Sequence, residues 1–248
     1  PWHPFEPPGW AQVAAMLPYT EVEFAPGSKF QYSNPGIVFL GRLIETISGE
    51  DYEIYVDKHI FRPLGMRDSY FDATPPFQRA SKSHSYVVRD GARRERPFDP
   101  DTGVTVSNGG LNAPAGDLAR WVRFLLGRPA DDATRARYET VLARSSLEEM
   151  WRPHLDAPGE NEAPDRPVRV GLGWFLESHG GRTYVAHSGN QNGFIAHLYA
   201  DPARGLGYVV VFNTLVQRTE KTPRGTNAVD RELRDLIFAK VFPALEGE

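Results

Sequence analysis

Residues 26–66 read PGSKFQYSNPGIVFLGRLIETISGEDYEIYVDKHIFRPLGM, and this stretch carries the clearest structural signals in the chain. Asn34 can cap a helix, and Pro35 suits its first turn. Apolar residues then recur at helical spacing, at Ile37, Leu40, Ile44 and Ile47. Gly49 suits the left-handed position that ends a helix. The pattern predicts one helix that begins at Asn34, and a second from about Asp51 to Phe61 that ends before Pro63.

Weaker signals flank this stretch. A short helix is predicted around Trp10 to Leu17, and another from about Pro114 to Leu126. Residues 72–112 are loop-rich, with a weak strand signal at Tyr86 to Val88. Ser146 and Glu149 suggest a capping box for a short helix around Trp151, and residues 156–167 look like a surface linker.

The pattern changes at Val168. Four short apolar runs separated by turn residues predict an antiparallel meander, at residues 168–176, 183–186, 194–200 and 208–212. A terminal helix is predicted over residues 228–242. Helices followed by a sheet and a final helix indicate an α+β fold. We expect a mainly helical lobe over residues 1–165 and an antiparallel sheet with the terminal helix over residues 166–248.

Composition excludes several functional classes. The chain has 248 residues and a net charge of −4, without the basic patch that nucleic-acid binding requires. It has no cysteine, which excludes disulfides and cysteine-ligated zinc, and its seven histidines show no metal-ligand spacing. No apolar run is long enough to span a membrane. We therefore expect no cofactor and no metal.

Two short motifs stand out as candidates for chemistry, Tyr32-Ser33-Asn34 and His187-Ser188-Gly189. Each is weak by itself. Tyr32 could be an ordinary loop or strand aromatic, Asn34 a helix cap, and the histidine triplet a turn between two strands.

Context adds specificity to the two motifs. Residues 26–66, Ser107-Asn108-Gly109-Gly110-Leu111 with Asp117 to Arg120, and GLGW (171–174) with HSGNQNGF (187–194) occur in order. In this order the sequence resembles the serine β-lactamase and penicillin-binding-protein-like family. That family includes cephalosporinase-type β-lactamases, D-alanyl-D-alanine carboxypeptidases and related esterases. The resemblance covers about residues 20 to 215 and implies an antiparallel sheet flanked by helices plus a helical lobe.

The resemblance also implies roles for individual residues. A serine and a lysine of a Ser-x-x-Lys motif provide the nucleophile in this family, and a tyrosine exchanges protons with that serine. The tyrosine role falls on Tyr32, and Asn34 would bind the substrate amide or that lysine. His187 takes the place of the family's usual lysine beside the tyrosine. Ser188, Gly189 and Asn190 would line the substrate, with the Asn190 N–H contributing to the oxyanion hole.

The sequence departs from the family pattern at the nucleophile. The residues three places before the five lysines are Pro26, Tyr55, Arg79, Arg218 and Ile237, and none is serine. The chain opens at Pro1 without an initiator methionine. We therefore expect the chain to lack the family's N-terminal strands and nucleophile helix, and to be inactive alone.

Two hypotheses about function follow, one for an enzyme and one for a binding module. In the first, the parent protein is a serine acyl hydrolase, and the 248-residue chain has as its partner the missing N-terminal segment of that same protein. In the second, the chain is a non-catalytic module whose cleft binds acyl-D-amino-acid or peptide ligands. The sequence does not distinguish a β-lactam, a D-amino peptide or an ester as substrate. It leaves the compartment open, with a periplasmic or secreted location favoured.

Overall fold

The structure is a computed structural model that describes residues 9–99, 101–157 and 167–246. Its helices in these residues are α1 (Trp10–Met16), α2 (Asn34–Ser48), α3 (Tyr52–Val56), α4 (Arg62–Leu64), α5 (Val106–Gly109), α6 (Ala115–Leu126), α7 (Asp132–Val141), α8 (Arg144–Met150), α9 (Thr226–Leu236) and α10 (Phe242–Glu246). Wider, π-helical turns join α3 to α4 and α9 to α10.

The boundaries of α2 agree with the sequence except at the cap. Ser33, and not Asn34, is the N-cap, because its hydroxyl accepts a hydrogen bond of 3.1 Å from the Gly36 N–H. Asn34 is the first residue inside the helix. At the other end, Gly49 adopts φ 72°, the left-handed conformation that glycine tolerates best.

The second helix does not stop before Pro63, so that prediction was wrong. The chain stays helical from Tyr52 through Arg62–Leu64. The helix ends at Gly65, which has φ 73°. Pro63 lies in the first turn of α4. The π-helical turn of residues Asp57–Phe61 precedes it.

The main sheet has six strands in the order β10-β9-β8-β7-β6-β5, and every neighbouring pair is antiparallel. The strands of the described residues are β1 (Tyr70–Phe71), β2 (Tyr86–Arg89), β3 (Ala92–Glu95), β4 (Leu111–Asn112), β5 (Leu155–Asp156), β6 (Val168–Val170), β7 (Phe175–His179), β8 (Arg182–Gln191), β9 (Phe194–Asp201), β10 (Leu206–Phe212) and β11 (Thr214–Val216). The predicted antiparallel meander is confirmed. A smaller sheet of order β11-β2-β3 contains one parallel pair, β11 with β2.

Helices cover both faces of the main sheet. On one face, Leu176, Val185 and Ala200 join a core that includes Val122 and Leu125 of α6. On the other face, Tyr184 stacks on Phe238 at a ring-centroid distance of 4.1 Å, and Tyr199 and Phe242 extend this aromatic cluster. The expected α+β fold, an antiparallel sheet flanked by helices, is therefore confirmed.

Several local predictions were wrong. The run from 168 to 176 is two strands, because a turn intervenes in which the Gly171 N–H bonds the Trp174 carbonyl. Ser146 lies inside α8, whose N-cap is Ala143, so no capping box forms. The strands β3 and β11 and the helix α7 were not predicted. Of the proposed linker at 156–167, residues 158–166 lie outside the described residues.

The Asp117 side chain connects α6 to the loop at Asp68 and Ser69 by hydrogen bonds. This side chain is 1% exposed and accepts hydrogen bonds from the Asp68 N–H at 2.9 Å, the Ser69 hydroxyl at 2.8 Å and Arg120 at 2.8 Å. We expect Asp117→Ala to lower the free energy of unfolding by about 3 kcal/mol, because it leaves buried donors unpaired. Urea denaturation measures the change. Asp132→Ala, at a side chain 99% exposed, is the control and should stay close to wild type. An equal effect of both variants would contradict this assignment.

Candidate active site

The strand that carries His187-Ser188-Gly189 extends beyond its neighbour. β7 pairs with β8 only as far as Phe175 opposite Ala186, whereas β9 continues alongside β8 to Gln191. In the described residues, the β7-side edge of β8 therefore has no strand partner over residues 187–191. Such an edge presents backbone N–H and C=O groups that an extended ligand can bind.

This edge borders a large cleft of about 1210 Å³. His187, Ser188 and Gly189 line it, together with Gly109 at the end of α5 and Gly110, which follows it. Because side chains alternate along a strand, His187 and Gly189 share one face of β8, and Ser188 and Asn190 the other. A Cβ atom added at Gly189 would meet nothing within 4 Å, so the cleft is open beside this residue.

Phe175 brings the two predicted catalytic residues to one place. The Tyr32 ring stacks on the Phe175 ring at 6.4 Å between centroids and 5° between planes. The His187 ring contacts the same phenylalanine at 5.6 Å. Tyr32 is 51% exposed. Tyr32 and His187 form no hydrogen bond with each other in the described residues, so the polarisation of the Tyr32 hydroxyl by His187 stays a prediction.

Tyr32 and the remaining predicted residues lie outside the lining of the cleft. Asn34 is exposed at the start of α2, and Asn190 is exposed near the end of β8. Since Ser33 caps the helix, the Asn34 carboxamide is not needed for capping. The alternative in which Asn34 is merely a helix cap is therefore wrong. The structure thus groups His187, Ser188 and Gly189 in the cleft, with Tyr32 linked to them through Phe175.

His187 titrates below its ordinary range. Burial lowers the pKa of His187 from the usual value near 6.5, and nearby His197 lowers it further, while a backbone hydrogen bond at Ser188 acts in the opposite direction. At pH 7 the ring is therefore neutral. A neutral imidazole can donate or accept one hydrogen bond at each nitrogen according to its tautomer.

This shift predicts a pH dependence. Because protonation is harder in the folded state than in the unfolded state, the free energy of unfolding should fall as the pH drops below about 6.5. An NMR titration of the His187 ring should give a midpoint below 6.5. His187→Gln should remove this part of the pH dependence. A midpoint at or above 6.5 would contradict the burial of this ring.

Sequence reasoning missed two residues, Phe175 beside His187 and Lys82 in the lining of the cleft. Phe175 reads as an ordinary strand aromatic, and its contact with Tyr32 spans two distant parts of the chain. Lys82 lines the cleft with its side chain only 8% exposed, but it donates to Thr74 at 2.8 Å and to Asp99 at 3.0 Å. The hydrogen bond from the Thr74 hydroxyl, aided by Lys82, lowers the pKa of Asp99 to about 2. Lys82 therefore stabilises the loops around the cleft through these hydrogen bonds.

Two further structural findings bear on function. In residues 9–99, 101–157 and 167–246, no group of three or more His, Asp or Glu side chains is arranged to hold a metal ion. The helices of the same residues include none with the combined length and apolar character needed to cross a bilayer.

Comparisons with known proteins converge on one family. The Beta-lactamase family model matches residues 1–231. The D-alanyl-D-alanine-carboxypeptidase/endopeptidase AmpH of Escherichia coli K12 is 26% identical over 230 residues, which are 88% of this chain and 54% of AmpH. The chain thus spans about half the length of this curated relative.

Solved structures share the fold. A penicillin-binding protein homologue from Pyrococcus abyssi, described as octameric, superimposes with a TM-score of 0.72 at 24% identity, covering 96% of this chain and 49% of that protein. A beta-lactamase/D-alanine carboxypeptidase from Pseudomonas syringae gives a TM-score of 0.67 at 17% identity, covering 93% of this chain and 66% of that protein.

Proposed function

Because the chain belongs to the Beta-lactamase family, we propose that it carries the proton-transfer and substrate-positioning half of a serine acyl-hydrolase site. The observation that carries the proposal is the edge of β8 at His187 to Gln191, which has no strand partner in the described residues and lies beside a cleft. Tyr32 lies close to this edge, because the Phe175 ring contacts both Tyr32 and His187. In this proposal the reaction is hydrolysis of an amide or ester through an acyl-serine intermediate.

Each residue has a defined part in the proposed reaction. The Tyr32 hydroxyl relays a proton: its oxygen accepts the proton of the attacking serine while it gives its own proton to the leaving group. Neutral His187 orients and polarises the tyrosine hydroxyl. The Asn190 N–H stabilises the oxyanion, and Asn34 holds the substrate amide. Ser188 and Gly189 provide the strand edge along which the acyl group lies.

The nucleophile comes from outside the 248 residues in this proposal. Serine is absent three positions before every lysine of the chain, so the Ser-x-x-Lys pair belongs to a segment that precedes Pro1. We refer below to the protein with this segment as the longer protein.

Acylation kinetics test the proposal. The longer protein should release nitrophenol from a nitrophenyl ester with a stoichiometric burst, followed by slower steady-state turnover. Parallel assays with nitrocefin and a D-alanyl-D-alanine peptide identify the substrate class. Tight binding of the peptide without a burst on any of these substrates would instead favour the non-catalytic binding module.

A further inference from the structure

The segment Ser107–Gly110 touches the helix that begins at Asn34. A Cβ atom added at Gly41 of α2 would lie 2.5 Å from both the Cβ and the hydroxyl oxygen of Ser107. The Ser107 hydroxyl also donates a hydrogen bond of 3.3 Å to the Ile37 carbonyl. No larger residue fits at position 41 without moving the helix or the segment.

The same segment touches the strand that carries His187. A Cβ atom added at Gly109 would lie 2.7 Å from the side-chain oxygen of Gln191. Gln191 shares a face of β8 with His187 and Gly189, and it lines the same cleft. The segment therefore lies between α2 and the end of β8 and contacts both.

A third contact fixes the base of the segment. A Cβ atom added at Gly110 would lie 2.8 Å from Asp72 and 3.0 Å from Thr102. The Thr102 hydroxyl donates to Asp72 at 2.6 Å, and the Asp72 N–H donates to the Gly110 carbonyl at 2.9 Å. Thr102 and Gly110 are buried. Because these contacts hold Gly110 in place, we expect a larger residue at position 41 to displace α2 and not the segment Ser107–Gly110.

We propose that Ser107–Gly110 is a spacer that sets the distance between α2 and β8, with Gly41 as the positioning residue. The inference rests on the proposed function, since it matters for catalysis only if Asn34 and Tyr32 act together with His187. Gly41 does not touch the substrate. It permits the close approach of Ser107 that holds the groups on α2 and β8 in one geometry.

Gly41→Ala in the longer protein tests the spacer. Displacement of reacting groups by about 1 Å can cost roughly 10²-fold in rate, so kcat per titrated active site should fall by up to that factor. Alanine favours helix more than glycine does, so a weaker α2 cannot explain a loss. The double variant Gly41→Ala with Ser107→Gly removes the clashing side chain and should recover most of the lost kcat.

The matched control is Gly116→Ala, another helical glycine, where an added Cβ would meet only the end of the Arg120 side chain at 3.7 Å. Its kcat should equal that of wild type. Unchanged kcat per titrated site in Gly41→Ala, or no recovery in the double variant, would overturn the spacer.

A crystallographic readout separates the spacer from the proposed function. In Gly41→Ala the distance between the Asn34 and His187 Cα atoms should increase, and it should revert in the double variant. An unchanged distance overturns the spacer whether or not the protein is active. If the wild-type longer protein is not acylated but the distance changes as expected in Gly41→Ala, the proposed function is overturned and the spacer is not.

Discussion

Tyr32→Phe in the longer protein should lower turnover by roughly 10²- to 10⁴-fold, the usual effect of losing a proton-transfer group. The substitution removes only the hydroxyl and keeps the ring that stacks on Phe175, so folding should be unchanged. His187→Ala should have a smaller effect, roughly one or two orders of magnitude, because it acts on the tyrosine. Steady-state kinetics with a nitrophenyl ester measure both.

Tyr19→Phe is the matched control for this result. Tyr19 is 88% exposed on the short helical turn after α1 and should tolerate loss of its hydroxyl without a change in turnover. Wild-type turnover in Tyr32→Phe would remove Tyr32 from the mechanism. A loss in His187→Ala that exceeds the loss in Tyr32→Phe would reverse the two roles.

The 248-residue chain alone should lose hydrolysis altogether, the largest effect that we expect. Ser33 caps α2, and Ser188 lies opposite His197 of β9, but neither serine has a lysine three positions after it, so neither forms the Ser-x-x-Lys pair that activates the family's nucleophile. Nitrocefin and nitrophenyl ester assays should give only the buffer rate. The longer protein, assayed in parallel, should be active. Turnover by the chain alone that exceeds the buffer rate would contradict this expectation.

Solubility should change together with activity. In the described residues β10, with the sequence LGYVVVF, pairs with β9 on one side only and forms the edge of the main sheet. An apolar edge strand of this kind promotes aggregation. The chain alone should therefore elute as large species in size-exclusion chromatography. Val211→Lys, at an exposed position of this edge, should reduce them. A monodisperse chain without this substitution would show that the edge is protected.

Local signals were sufficient for the elements with strong periodicity. The start of α2, its end at Gly49 and the strands β8 to β10 were predicted because each combines a regular apolar pattern with a turn or cap residue. In contrast, α7 (Asp132–Val141) is mostly polar, and only its C-terminal residues Tyr138 and Val141 pack against the core. Its signal was the cap, where the Asp131 side chain accepts from the Thr134 N–H at 2.7 Å.

Long-range contacts were not predictable from local pattern. The parallel pairing of β11 with β2 joins residues 214–216 to residues 86–88, and nothing in either segment specifies the other. The same holds for the contact of Tyr32 with Phe175 and for the Gly41–Ser107 approach. The sequence motifs supplied the candidate site residues, whereas the position of each relative to the cleft depends on tertiary packing.

Intact-mass spectrometry after incubation with a fluorescent penicillin and a fluorophosphonate tests the central claim most directly. The claim is that this chain holds the proton-transfer half of the site and that the nucleophile lies in the preceding segment. The 248-residue chain should show no mass increase with either probe, and the longer protein should gain the mass of one probe, mapped to a serine that precedes Pro1. A stoichiometric adduct on any serine of the isolated chain would contradict the claim.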